Sequence, residues 1–337
     1  MKKLLILSLV AFFALGSAKV FAQTDDGATP FAGSTHTYYV NGTWTDGNSD
    51  GAIQPAELTN TGNSGDTYTW WVSTDETDLT QQEAAGTYFT VSNGTYGTGS
   101  STGGANSISL TWTAAAVAAY NGATPTNFFV VVQEEDATTG CSNLKAFQVK
   151  PANNFDLAFV NMKPDLSGVG ADNQDQCPQN VAVSFNSGAI DYGYGVSYMY
   201  YRLTTTGITN TAWQFDYQFT TENGLTGSNV TVDYGTVSGG TYTKVGDLTN
   251  ATGAAATSPS IAAGSNEIYV RVTITNNKLS DGTYNEGTSA QNVALTLTNV
   301  QDAGGNPVQN INSAGTTDDV KAQVVNARPG TSTIGHD

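Results

Sequence analysis

Large apolar residues recur at every second position along this chain, and that alternation leaves few folds open. The clearest run is Trp213, Phe215, Tyr217 and Phe219, in which single residues, mostly polar, separate the aromatic side chains. A period of two places the apolar residues on one face of a β-strand and the intervening residues on the other. A helix would need a period of about 3.6 residues instead. The sequence therefore predicts β-strands that bury one face.

The same alternation appears in both halves of the chain. It is found at Tyr38–Val40, Tyr68–Val72, Ile108–Trp112, Phe155–Phe159, Val181–Phe185, Val230–Val232, Ile268–Ile274 and Val293–Leu297. Many of the 37 glycines fall between these segments, where they favour turns. The continuous apolar run Phe128–Val132 predicts a central strand, and the Ala-rich segment Ala114–Tyr120 predicts one short helix.

This order of segments predicts an all-β protein with two antiparallel β-sandwich domains in tandem. Strands do not alternate with helices, so a parallel sheet is not expected. Pro151 interrupts the pattern and marks a boundary, because proline cannot donate to a strand ladder. The predicted organisation is a signal peptide at 1–22, a flexible arm at 23–34, sandwiches at 35–151 and 152–327, and a tail at 328–337.

The first predicted domain carries an ordered set of strand motifs. Tyr68-Thr69-Trp70-Trp71-Val72 precedes Ile108-Ser109-Leu110-Thr111-Trp112 and Phe129-Val130-Val131-Val132, and Gly140-Cys141-Ser142 precedes Phe147-Gln148-Val149. This order resembles the PKD-like and immunoglobulin-like repeats of secreted Bacteroidetes surface proteins, including those associated with gliding motility. The resemblance covers roughly residues 60–150. It implies a surface-exposed spacer or interaction module and does not imply catalysis.

The first 22 residues have the pattern of an export signal. Lys2 and Lys3 precede an apolar run from Leu4 to Leu15, and small residues lead to a predicted cleavage after Ala22. The apolar run is shorter than the roughly 20 residues needed to span a bilayer. The sequence therefore predicts a protein that is secreted or displayed on the outer cell surface.

Charge and histidine content exclude several classes of function. Removal of the signal peptide leaves nine basic residues against 29 acidic ones and takes the formal net charge from −17 to −20. Nucleic acid is a poor partner, because phosphate binding needs clustered Lys and Arg. His36 and His336 are the only histidines, so a catalytic triad or zinc site is not expected. We predict that the protein is not an enzyme.

The sharpest local motif predicts a calcium-binding loop between residues 46 and 57. The segment matches the EF-hand loop pattern at every required position. A strand pattern precedes it in place of a helix, which favours a structural ion over a sensor. Alternatively, the match is a turn that arose by chance in an Asn-, Asp- and Gly-rich chain. The predicted ligands are Asp46, Asn48, Asp50, the Ala52 carbonyl, Gln54 and Glu57.

The chain has two cysteines, Cys141 and Cys177. An even number in an exported protein favours a disulfide, which would connect the end of the first domain to the start of the second. Two free thiols are the alternative.

The absence of catalytic groups, the export signal and the predicted sandwich strands together predict a structural protein of the cell surface or extracellular matrix. We expect a self-assembling fibre or surface-layer subunit stabilised by calcium, joined by strand addition through its polar ends. The alternative is an adhesin or carbohydrate-binding module, in which aromatic side chains stack on sugars. Tyrosine and tryptophan residues in a sandwich more often fill the core or pair across strands. The candidates for stacking are Tyr192, Tyr194, Tyr198, Tyr200, Tyr201 and Trp71.

Overall fold

The structure is a computed structural model of the chain. It describes residues 25–41, 45, 57, 62–63, 65–97, 106–221, 229–249, 254–277, 286–312, 316–317, 319–330 and 334. Within these ranges the chain forms nineteen β-strands and one α-helix, which confirms the predicted all-β class. No helix in the described ranges is long and apolar enough to cross a membrane. The predicted signal peptide lies outside them.

The first half of the chain forms two three-stranded antiparallel sheets. Their elements are β1 (Thr35–Tyr39), β2 (Thr67–Ser73), β3 (Phe89–Asn93), β4 (Ser107–Trp112), α1 (Ala114–Asn121), β5 (Phe128–Glu135) and β6 (Ser142–Val149). One sheet has the order β1-β4-β3 and the other the order β2-β5-β6. The apolar run predicted as a central strand is β5, and the predicted short helix is α1, so both predictions are confirmed. Thr113 begins the helix, and its hydroxyl accepts a hydrogen bond from the Ala116 amide.

A core cluster forms from alternating residues of both three-stranded sheets. Trp112 lies at its centre, with its ring centroid 6.1 Å from Phe89 and 5.6 Å from Phe128. The Trp112 indole donates a 2.8 Å hydrogen bond to the Tyr38 hydroxyl, so its one polar group is satisfied in the core. Each large side chain buried in this way contributes about 1.5–3 kcal/mol.

The second half forms two larger sheets and a separate hairpin. The strands are β7 (Asp156–Met162), β8 (Asn173–Gln176), β9 (Ala182–Asn186), β10 (Ala189–Gly193), β11 (Val196–Thr206), β12 (Trp213–Thr221), β13 (Val230–Ser238), β14 (Thr241–Leu248), β15 (Ala256–Thr257), β16 (Glu267–Thr275), β17 (Gln291–Asp302), β18 (Asn310–Ile311) and β19 (Asp319–Val325). The sheet orders are β14-β13-β16-β11-β7-β18 and β15-β12-β17-β19-β8, and β9 pairs with β10 alone. Most pairs are antiparallel, but β18 with β7 and β19 with β8 are parallel.

The six-stranded and five-stranded sheets share the largest core. Trp213, Phe215, Tyr217 and Phe219 are all at most 1% exposed, as their alternation predicts. They pack in sequence along β12, with successive ring centroids 5.7 to 5.8 Å apart. Because the rings come from one face of one strand, the alternation in the sequence becomes a continuous aromatic row in the core.

A junction joins the sheets of the first half to those of the second. The Gly33 amide donates to the Trp112 carbonyl at 2.7 Å, and the Thr209 amide donates to the Ala32 carbonyl at 2.8 Å. A Cβ on Gly33 would lie 1.3 Å from the Thr209 carbonyl oxygen, and its φ is +82°, so only glycine fits. The Asn306 side chain donates to the Ala114 carbonyl at 2.9 Å. The end of each sheet can therefore be described as near to or far from this junction.

Candidate assembly site

The site is built on two strands, β1 and β6, that lie at the edges of their sheets. Each pairs on one side only, β1 with β4 and β6 with β5, among the strands that the structure describes. In β6 the residues from Ser142 to Gln148 are all exposed, and only Val149 is buried. An edge strand presents unpaired N–H and C=O groups, which can bind a strand of another chain.

Between these two edges lies an apolar groove with a volume of about 350 Å³, which we call the edge groove. Phe147 of β6 opposes Val130 across the ladder and therefore faces the same side of the sheet, yet it is 49% exposed. Its ring lies 6.2 Å from Tyr38 of β1. Lys145 borders the groove two residues earlier. The apolar lining comprises Tyr38, Val40, Trp70, Val130, Val132 and Phe147.

The N-terminal arm forms the end of the edge groove nearest the junction. Lys150 and Ala152, which follow β6, donate amide hydrogen bonds to the carbonyls of Ala28 (2.8 Å) and Pro30 (3.0 Å). The Tyr38 hydroxyl donates to the Gly27 carbonyl at 2.9 Å, and burial raises the pKa of this tyrosine. Residues 25–34, predicted as a flexible arm, are thus held by specific bonds. The groove begins where the arm turns away from β1.

Asp25 fixes the arm against β1. Its Oδ1 accepts a hydrogen bond from the Phe31 amide and lies 2.9 Å from the His36 ring nitrogen Nε2. Partial burial opposes ionisation of the carboxyl, but the bonds with His36 and Phe31 outweigh it, and the pKa of Asp25 is lowered. The charged form of Asp25 therefore stabilises the arm.

A polar pocket of about 240 Å³ lies at the other end of β6, where Cys141 also contributes to the lining. Glu134 Oε1 accepts hydrogen bonds from Asn41 (2.7 Å), Asn63 (2.9 Å) and the Tyr68 hydroxyl (2.9 Å). Desolvation opposes ionisation of Glu134, yet these donors lower its pKa. The carboxylate is satisfied by neutral donors, so it ties the segments before β2 to β5.

Of the predicted calcium ligands, the structure describes Glu57 alone. Its carbonyl accepts a 3.2 Å hydrogen bond from the Thr45 amide, which brings together the two ends of the predicted loop. The other predicted ligands, Asp46, Asn48, Asp50, Ala52 and Gln54, lie outside the described residues. In the ranges that are described, no three His, Cys, Asp or Glu side chains are grouped to hold a metal ion. Calcium binding stays a prediction.

A second exposed apolar feature is the hairpin of β9 and β10, which we call the apolar hairpin. Val183 lies opposite Tyr192 and Phe185 opposite Ile190, so all four side chains share one face. Their exposed fractions are 63%, 49%, 75% and 59%, respectively. Alternation around Phe185 predicted a strand with a buried face. The strand is present, but the face is exposed, because neither of the large sheets covers it within the described structure.

Arg328 holds the base of the apolar hairpin. Its guanidinium donates to the carbonyls of Gln179 and Tyr194, both at 2.5 Å, and lies 5.8 Å from the centre of the Tyr194 ring. Partial burial lowers the pKa of Arg328. Arginine provides several donors in a fixed plane, which suits this double contact. The hairpin is therefore anchored at its base and projects its apolar face into solvent.

The tyrosines predicted as a possible sugar platform do not form one exposed surface. Trp71, Tyr200 and Tyr201 are buried at 2%, 7% and 0% exposure. Tyr198 is more exposed and stacks on Tyr200, with centroids 6.3 Å apart. Tyr192 belongs to the apolar hairpin. Half of this set therefore fills the protein interior, as the simpler interpretation of these residues expects.

An ion pair orders the outer face of the six-stranded sheet beside Tyr200. Arg271 binds both carboxylate oxygens of Asp233, at 3.0 and 2.6 Å, and its guanidinium lies 4.4 Å from the Tyr242 ring centre. The Tyr242 hydroxyl also donates to Asp233 at 2.6 Å. Asp233 is only 7% exposed. Its charge is compensated by Arg271, and the Tyr242 hydroxyl adds a further hydrogen bond. These groups have a structural role in the sheet.

The predicted disulfide is wrong, because Cys141 and Cys177 are both free and exposed. Cys141 precedes β6, whose eight residues separate it by about 25 Å from the junction. Cys177 follows β8, which pairs with the end of β19 that lies beside Gln291. The twelve residues of β17 separate that end from the junction by about 36 Å. A disulfide needs Cα atoms within about 7 Å, so these positions cannot be bridged within one chain.

No family model matches the chain, and no curated protein matches it.

Sequence reasoning did not identify the two surfaces that the structure brings out. Phe147 belonged to the last strand motif predicted for the first domain, and the alternation at Val183 and Phe185 predicted a buried face. One signal was present for the hairpin. Ser187-Gly188 between two short alternating segments is typical of a tight two-residue turn, and both residues have positive φ, at +52° and +86°. Such a turn predicts a hairpin.

Proposed function

We propose that this protein is a non-catalytic structural subunit of the cell surface or extracellular matrix that assembles with other copies by strand addition. The observation that supports this is the edge groove, an apolar cleft bounded by two strand edges with no described partner. Proteins usually protect such edges with charge, bulges or a covering segment. Here Phe147 is 49% exposed beside buried core side chains that line the cleft, which favours occupation by another chain.

The proposal includes the architecture and the location. Two immunoglobulin-like or PKD-like sandwiches in tandem are supported by the two core clusters, each lined by two sheets. The signal-peptide pattern at 1–22 supports export. Ordered carboxylates such as Asp25 and Glu134 bind structural donors, which is consistent with the absence of a catalytic role. We include calcium at residues 46–57 as a stabilising ion.

Strand addition in the edge groove would involve both main-chain hydrogen bonds and side-chain contacts. An added strand would hydrogen-bond to the unpaired backbone of β1 or β6, and its side chains would cover Phe147. Main-chain bonds provide affinity, and the side-chain positions provide specificity. A strand added to β1 would extend the sheet that faces β6. Assembly would therefore also add apolar side chains to the core.

The test is the state of the mature protein, residues 23–337, in solution and on grids. We expect polymers in electron microscopy and a broad high-mass distribution in light scattering. Phe147→Asp, which places a carboxylate in the groove, should abolish them. Leu144→Asp is the matched control, since Leu144 is 38% exposed on the opposite face of β6. Wild-type protein that stays a uniform monomer at high concentration with calcium present would contradict the proposal.

The alternative of an adhesin or carbohydrate-binding module has weaker support. Tyr198 and Tyr192 are the exposed members of the predicted aromatic set, and they lie on different sheets. Binding on a glycan array by protein carrying Phe147→Asp would favour this alternative.

A further inference from the structure

The apolar hairpin is a surface that needs a partner. A two-stranded hairpin is marginally stable in water by itself. Here the four residues of its apolar face, Val183, Phe185, Ile190 and Tyr192, are each about half exposed or more. The opposite face carries small or polar residues such as Ser184 and Asp191. An exposed apolar patch of a few hundred Å² on a folded protein usually marks an interaction site.

We propose that the apolar hairpin of one subunit occupies the edge groove of the next, so that a second copy of this chain is the partner. This inference rests on the proposed function and names the segment that enters the groove. The apolar face of the hairpin packs on Phe147, which is 49% exposed in the groove, and one of its strands extends the free edge of β1 or β6. The groove receives the apolar side chains that its own subunit does not supply.

The positions of the two surfaces favour this pairing. The hairpin precedes Val196, which begins β11, and β11 runs from there toward Ile208 at the junction. The hairpin therefore lies at the end of the second half that is far from the junction. The edge groove belongs to the first half of the chain. Because the two surfaces differ and lie on different halves, each subunit can use both at once, and repeated contacts of this type produce an open chain of subunits.

Charge is compatible with this contact although the subunit is strongly acidic. Between residues 181 and 193 the only charged residue is Asp191, which lies on the polar face of the hairpin. Lys145 and Asp26 both line the groove that receives it, so the groove carries one residue of each charge. Two copies with a formal charge of −17 each, or −20 after export, repel one another. The hairpin and the groove are surfaces that can meet without adding to that repulsion.

The apolar face of the hairpin supplies part of the area that a stable contact needs. Exposed aromatic and branched residues each present about 150–250 Å² when fully accessible, so the apolar face of the hairpin offers roughly 400–500 Å². The backbone and the edges of both strands add to this. A standard protein interface buries roughly 800 Å² per partner, of which the apolar face alone supplies about half. A hairpin that is anchored at its base by Arg328 also loses little conformational freedom on insertion.

The experiment uses two variants that remove one surface each. Phe185→Asp removes the apolar hairpin face and keeps the groove, whereas Phe147→Asp removes the groove and keeps the hairpin. Ser184→Asp, on the other face of β9, is the matched control for the hairpin. Light scattering measures the mass of each variant alone and of an equal mixture. Circular dichroism checks that each variant is folded.

We expect each of the two variants alone to remain a monomer at concentrations at least about a hundredfold above those at which the wild type polymerises, because a carboxylate would be buried in the contact. The equal mixture should form a dimer of one copy of each, since one intact hairpin and one intact groove remain. Ser184→Asp should polymerise like the wild type.

The other outcomes separate the inference from the proposed function. Folded Phe185→Asp protein that polymerises normally would overturn the hairpin as the occupant and leave assembly through the groove standing. Two folded monomeric variants that fail to dimerise when mixed would also overturn the inference. A monomeric wild type would overturn both.

Discussion

Asp25 fixes the N-terminal arm at one end of the edge groove, and its contribution to stability can be tested by changing the pH. The lowered pKa of Asp25 means that its folded-state value lies below the unfolded value of about 3.9. Its contribution to stability is therefore fully present above pH 4 and is lost as the pH falls through the folded pKa. The arm should then detach from β1 in acid before the cores unfold.

We expect the amide signal of Phe31 in NMR spectra to shift in a single acidic titration below pH 4, because this amide donates to Asp25. Asp25→Asn should remove that titration, since the side chain then has no ionisable group. Asp26→Asn is the matched control. Asp26 bonds to the amides of Ala28 and Thr29 and leaves the bond to Phe31 in place. An identical Phe31 titration in Asp25→Asn would contradict the assignment.

Among the secondary-structure elements, the apolar hairpin should contribute to assembly and hardly at all to the stability of the monomer. Its exposed face makes no part of either large core. We expect replacement of residues 181–193 by two glycines to abolish polymers while the melting temperature of the monomer changes by no more than about 2 °C, measured by calorimetry. A loss of many degrees would show that the hairpin packs on its own subunit.

A core residue provides the contrast for that deletion. Phe215 is 0% exposed and packs between Trp213 and Tyr217. Phe215→Ala should reduce the free energy of unfolding by about 3–5 kcal/mol, because it leaves a cavity in the aromatic row.

The alternation of apolar residues predicted the strands well and their surroundings less well. Trp213 to Phe219 and Val183 to Phe185 have the same period of two, yet the first set is buried and the second is exposed. A period of two shows that one face of a strand is apolar, but it does not show what covers that face. Cys141 and Cys177 illustrate the same limit, because their number and compartment carry no information about distance. Local patterns thus predict elements, whereas long-range packing decides which faces remain open.

The predicted calcium loop is an element whose effect can be measured on the whole protein. We expect calcium at about a hundred times its dissociation constant to stabilise the fold by about 2.7 kcal/mol. Calorimetry should then record a melting temperature several degrees higher than in a chelator. Asp46→Ala should remove the shift, and Asp172→Ala, in a separate acidic turn, should keep it. Titration calorimetry that detects no calcium binding to the wild type would contradict the loop.

For the whole molecule, net charge opposes assembly, whereas the apolar contact between hairpin and groove favours it. The formal net charge of the chain, −17, or −20 without the predicted signal peptide, disfavours close approach of two copies, and salt screens that repulsion within about 10 Å at 0.1 M. Apolar contact between hairpin and groove does not weaken with salt in this way. Polymerisation through these surfaces is therefore favoured by moderate salt, unlike an assembly held together by ion pairs.

The two free cysteines can report the polarity of such a polymer. Cys141 precedes Lys145 at the groove by four residues, and Cys177 precedes Val181 at the base of the hairpin by four. Insertion of the hairpin tip toward the arm brings Cys177 of one subunit near Cys141 of the next. Treatment of polymers with the thiol oxidant diamide should give a ladder of covalent multimers, and mass spectrometry should find Cys141 linked to Cys177. Cys177→Ser should prevent the ladder, whereas links of each cysteine to its own counterpart would indicate subunits arranged head to head.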